Sequence, residues 1–201
     1  MRALSRLPLL AILALATILV SAAPPAAHAH VFGAYGAGWA QGFEHPFSGL
    51  DHMLAMVAVG VWAAMIGGRA VWVLPVTFPL VMALGGLLAV AGVPVLGVEV
   101  GIAGSVLVMG LLVALAVRPP VGIGAAVVAL FALFHGHAHG SELPEAASPI
   151  LYGLGFVLAT AILHAIGLAF GRVLRSPVGG RTVRVGGVAV ALAGVAILAG
   201  V

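Results

Sequence analysis

The sequence has no cysteine. That excludes disulfides, thiolate metal sites and thiol catalysis. Lysine is also missing, and all eight basic residues are arginine. Charge of either sign is scarce, at 6% of 201 residues, while 63% are hydrophobic. A soluble domain carries about a quarter charged residues, so this chain has too few to cover a water-facing surface. The membrane class follows before any motif is read. The arginines stand singly, with no basic patch interleaved with aromatics, which argues against nucleic-acid binding. No nucleotide-binding motif is present, so coupling to ATP would need another protein. What abounds is glycine, 29 residues, as close helix packing in lipid requires.

The first segment reads as an export signal. Arg2 and Arg6 form a positive start, Leu7 to Val20 an apolar stretch, and Ala27-His28-Ala29 a small-residue cleavage site. Cutting there divides the chain into a signal peptide, 1–29, and a mature domain, 30–201. About 20 apolar residues cross a bilayer core. On that measure six spans are expected, about Leu50–Gly67, Val71–Ala91, Val95–Val117, Val121–His139, Ser148–Gly171 and Val183–Gly200. The expected fold is all-α, a polytopic membrane protein with a six-helix transmembrane bundle. Short loops suggest antiparallel packing of chain neighbours. Residues 30–49 suggest an interfacial or re-entrant piece. If residue 30 lies outside, every mature arginine (69, 118, 172, 175, 181 and 184) falls on the cytoplasmic side. Glu142 and Glu145 then fall outside, as the positive-inside rule asks. Both mature termini are placed outside, in a bacterial inner membrane.

Ionisable groups in a membrane span are costly, so each needs a reason. One group is His45-Pro-Phe-Ser-Gly-Leu-Asp51-His52, with Met56 four residues on. Imidazole, carboxylate and thioether would share one region, since positions four apart share a helix face. A second is Phe134-His135-Gly-His137-Ala-His139-Gly-Ser-Glu142. His135 and His139 have the i, i+4 spacing of a metal-binding pair, and His137 faces away from them. Glu99 lies near the outer end of the third span and needs a cation or histidine partner. His164 and Met109 sit past the midplane as later stations. His30 would add an imidazole and a free amine at the outer surface after cleavage. Nitrogen and oxygen donors without thiolate suit Ni, Co, Zn or Cu(II).

These motifs identify a resemblance over nearly the whole mature chain. The H-x5-D-H of His45, Asp51 and His52, and the F-H-G-x-[AV]-H-G-x-E of Phe134 to Glu142, resemble the HupE/UreJ family of nickel/cobalt permeases. The first motif is also similar to the H-x4-D-H of the larger nickel–cobalt transporter family, with one more intervening residue. The resemblance implies a secondary transporter rather than an enzyme. It would take up Ni²⁺ or Co²⁺ with no permanent cofactor and indirectly supply hydrogenase or urease maturation. A homo-oligomer in the bilayer is compatible with it. The second reading is a membrane metalloenzyme that holds a catalytic divalent ion with the same ligands.

Overall fold

The computed structural model describes residues 37–142, 148–173 and 177–200. The expected signal peptide, 1–29, and His30 lie outside them. The described residues form seven helices and no strand: α1 (Ala37–Ser48), α2 (Leu50–Ile66), α3 (Ala70–Val90), α4 (Val98–Ala114), α5 (Val121–Ser141), α6 (Pro149–Val173) and α7 (Pro177–Ala199). Each segment expected to cross the membrane overlaps one of α2 to α7, though only α2 and α4 lie wholly inside the expected limits.

Four helices, α3, α5, α6 and α7, are long and apolar enough to span. The helix α4 is apolar but shorter, at 17 residues. Its limits are narrower than the expected Val95–Val117 because the backbone turns left-handed at both ends. Gly97 has φ 70° and Ala116 has φ 54°. Helices α1 and α2 together are apolar enough for one span, but they are bent by 81° at their junction. Pro46 and Gly49 punctuate that bend. Helix α3 continues through Pro75 and Pro79 without interruption, so its prolines do not break it.

Chain neighbours are not the tightest partners. The closest packing joins α3 to α5, α4 to α7, and both α1 and α2 to α6. Sequence reading expected neighbours to pair because the loops are short. Glycine contacts override this. A Cβ on Gly136 would overlap the Met82 carbonyl, and one on Gly85 the Leu133 carbonyl, so α3 and α5 touch backbone to backbone. Gly60 and Gly167 do the same for α2 and α6, and Gly110 and Gly187 for α4 and α7. In lipid, such small-residue seams supply the packing that a hydrophobic drive cannot. The register of these contacts makes α2 run with α6, α3 with α5, and α4 against α7.

The outcome is a bundle with two unlike ends. The N-termini of α2 and α6 and the C-termini of α1 and α5 meet at one end, which carries the histidine motifs. Arg69, Arg118, Arg172, Arg181 and Arg184 lie at the other. There the last carbonyl of α4 and one in the turn that follows receive side-chain donors. Trp62 Nε1 donates to the Val117 carbonyl at 2.8 Å, and Arg184 Nε to the Ala114 carbonyl at 2.7 Å. The apolar core between the ends is built on Trp62, Phe78, Leu74, Met56, Met109 and Val128, all fully buried.

Replacing Gly136 by Ala should destabilise the fold by about 1–3 kcal/mol, the usual cost of overpacking. Gly104 meets nothing within 4 Å, so Gly104→Ala should be neutral or stabilising by up to about 1 kcal/mol. Thermal unfolding of the two purified variants in detergent checks the contrast. Equal melting temperatures would remove the role given to the seam.

Candidate metal centre

The sequence places His52 on the first turn of α2 and His135 and His139 one helical turn apart on α5. Because α2 and α5 both enter the core at the same end, the three rings converge. The His52 and His135 ring centroids are 4.6 Å apart, and those of His52 and His139 are 4.5 Å apart. All three residues are buried, and one ligand atom from each lies within 4.8 Å of the others. A tetrahedral ion with nitrogen bonds of about 2.0–2.1 Å needs donors roughly 3.3 Å apart, so small ring rotations would close the set.

Hydrogen bonds decide which nitrogens are free. His52 Nδ1 lies 2.8 Å from Asp51 Oδ1. A carboxylate only accepts, so Nδ1 carries the proton and the lone pair is on Nε2. That Nε2 is buried and has no partner. The same carboxylate oxygen accepts the His52 backbone N–H at 2.8 Å. Asp51, expected as a ligand, thus stands behind His52 and orients it, and it belongs to neither group of converging donors. Gly49 leaves room for this pair: a Cβ there would lie 2.6 Å from Asp51 Oδ1 and 2.9 Å from His52 Nδ1.

His135 is set by a residue the sequence reading missed. Ser105, buried on α4, donates its hydroxyl hydrogen to the Ile102 carbonyl at 2.6 Å. The oxygen then accepts from His135 Nε2 at 2.9 Å, which leaves His135 Nδ1 bare and without a partner. The available signal was that Ser105 is the lone hydroxyl in α4. His139 has no partner at either ring nitrogen, so no hydrogen bond chooses its tautomer. Its ring packs on Phe156, with centroids 4.2 Å apart.

A second group sits at the rim and shares His139. His45, His139 and Glu142 also bring ligand atoms within 4.8 Å of one another. His45 Nε2 is 3.4 Å from Glu142 Oε2, and the His45 and His139 rings are 4.6 Å apart. Glu142 is exposed, His45 half-buried. Two polar groups near His45 were not foreseen: Gln41 Oε1, one turn before it on α1, and the Tyr152 hydroxyl. Both are buried and without a partner, and the Tyr152 and His45 rings are 6.0 Å apart.

Other expected residues fall elsewhere. Glu99 is exposed and joins neither group. The helix starts at Val98 rather than Val95, so Glu99 lies in the first turn, where the helix N-terminus favours an acid without a cation. Met56 and Met109 are part of the apolar core. His137 turns toward the α3–α4 loop, with Nε2 3.0 Å from the Val93 carbonyl. His164 is buried deeper, with its ring 5.3 Å from that of Phe78.

Removing the Ser105 hydroxyl should loosen His135 while leaving every converging nitrogen in place. Ser105→Ala should lower Ni²⁺ affinity about 10–100-fold, as loss of an outer partner of a metal-bound histidine typically does. Equilibrium binding to purified protein measures it. Unchanged affinity would mean that Ser105 does not orient the ring.

A family model described as HupE / UreJ protein matches residues 16–197. A curated relative named "Protein HupE", from Rhizobium leguminosarum bv. viciae, is 49% identical over 184 residues. The match covers 92% of this chain and 96% of that protein. No solved structure matches.

Proposed function

The chain belongs to the HupE/UreJ family, and on that footing we propose that it is a multi-pass permease for Ni²⁺ or Co²⁺. The observation that carries this reading is the convergence of His52, His135 and His139, buried and with bare ring nitrogens, inside an apolar bundle. Unpaired polar groups are expensive in such surroundings. A divalent ion of the middle transition series takes imidazole nitrogen readily and would satisfy all three at once.

The two donor groups support travel from the rim inward. The rim group offers one exposed carboxylate and two imidazoles, which suits capture of a hydrated ion. Gln41 and Tyr152 offer further polar atoms to the ion's remaining water. The inner group is all imidazole and buried, which suits a dehydrated ion. A neutral imidazole has one bare nitrogen at a time, so His139 serves one group or the other. An ion exchanging His45 and Glu142 for His52 and His135 keeps His139 throughout, and no step requires a free, naked cation. Six spans are supported by the six helices after α1, with α2 and α4 short enough to sit nearly upright. The arginines at the far end support a cytoplasmic assignment for that end, which puts the metal-binding end outside, in an inner-membrane setting. Membership of the HupE/UreJ family supports a link to nickel-enzyme maturation.

Labelled-metal uptake into proteoliposomes, comparing Ni²⁺, Co²⁺ and Zn²⁺, tests the reading. His52→Ala should reduce accumulation to the level of empty liposomes with the protein still inserted. Normal uptake by that variant would overturn the assignment. Metal retained against chelators, with no flux, would instead favour the metalloenzyme.

A further inference from the structure

One buried polar cluster is left over once the converging donors are assigned. It lies deeper in the bundle, on α6. His164 is 1% exposed and Thr160 is 0% exposed. They are four residues apart and so share a face of the helix. Neither His164 ring nitrogen, nor the Thr160 hydroxyl oxygen, has a hydrogen-bond partner of good geometry. A third polar atom comes from α3. Pro79 has no N–H to give the carbonyl four residues earlier, and that carbonyl belongs to Pro75. The Pro75 backbone lies close to the His164 ring without making a hydrogen bond of good geometry to it. Imidazole and hydroxyl therefore share one face of α6, and a carbonyl without its usual helical donor lies against the imidazole, where apolar packing would be expected.

The cluster is in line with the known donors. Phe78 touches both levels: its ring centroid is 5.6 Å from that of His135 and 5.3 Å from that of His164. Below His164 the helix α6 continues to Gly171, about two turns on at 1.5 Å per residue. There Gly171 lines an open cavity of about 580 Å³ together with Ala64, Ile66, Arg118 and Arg184. Thr160, His164 and Gly171 thus follow one another along α6 toward the cavity at the arginine end.

We propose that His164, Thr160 and the Pro75 carbonyl form a second cation site, which receives the ion after it leaves His52, His135 and His139. This rests on the permease reading and deepens it. The donor set is one nitrogen and two neutral oxygens, weaker than three imidazoles. A weaker site past a stronger one lets an ion leave toward the cavity instead of staying bound. A cation on this carbonyl would also account for Pro79 in a membrane helix, where freed backbone groups must find partners.

Equilibrium Ni²⁺ binding to the purified full chain in lipid nanodiscs tests this, alongside uptake in proteoliposomes. The variants are His164→Asn, the isosteric Thr160→Val, and His52→Ala. The site predicts that His164→Asn binds one Ni²⁺ fewer per chain than wild type while the remaining, tighter binding is unchanged. His52→Ala should instead lose the tighter ion. Thr160→Val, which keeps shape and packing, should weaken only the second binding event, roughly tenfold or more, and slow uptake. If His164→Asn does not insert, Thr160→Val decides alone. Wild-type stoichiometry and uptake in both α6 variants, with His52→Ala still losing an ion, would overturn the second site and leave the permease reading intact. No binding of Ni²⁺ or Co²⁺ to the wild-type chain would overturn both.

Discussion

The structure depends on the cost of burying imidazole in an apolar bundle. A ring nitrogen removed from water without a partner loses several kcal/mol on transfer scales for polar groups (roughly 2–7). The protein removes His52, His135 and His139 together and satisfies only part of each pair. Asp51 takes one nitrogen of His52, Ser105 takes one of His135, and nothing takes those of His139. Each of His52 and His135 thus has one nitrogen held by a fixed partner and one bare, and both of His139's are bare. That division is what distinguishes a ligand set from three histidines that merely pack. It also gives Asp51 and Ser105 an orienting part, because each decides which nitrogen is bare.

The helix pairing serves this arrangement. The histidines of α5 reach those of α1 and α2 because α5 is held flush against α3, and α2 against α6, through glycine seams. Aromatic side chains at the same level, Phe156 on His139 and Phe78 on His135, exclude solvent from the sides. The bend between α1 and α2 is equally specific. It lets His45 come back toward His139 from a helix that has already turned by 81°. A straight continuation would carry His45 a full helical stretch away from the site.

Much of the site was legible in the sequence. The spacing of His135 and His139 sets them on one face, and topology alone sends His45, His52 and Glu142 to the same end. The roles were less legible. Asp51 and His52 are adjacent, and sequence cannot say whether a carboxylate binds an ion or its neighbour's nitrogen. Glu99 lies near the outer end of its span as expected, but Gly97 turns left-handed and starts α4 three residues later than hydropathy suggests. Glu99 therefore sits exposed in the first turn and outside both donor groups. Ser105 and Gln41 are ordinary residues until the fold brings a histidine to each. Helix partners were illegible for a different reason. The helices α3, α4 and α5 are apolar on nearly every face, so no stripe points to a neighbour. The glycines mark where contact occurs but not with what.

The central claim is that the three buried imidazoles hold one divalent ion. X-ray absorption of the Co²⁺-loaded protein tests it most directly, because imidazole ligands leave an outer-shell scattering pattern that carboxylate and water do not. Scattering from histidine rings that weakens in His135→Ala and again in His135→Ala/His52→Ala is the expected result. A Co²⁺ shell of oxygen alone, or an imidazole pattern indifferent to both substitutions, would contradict it.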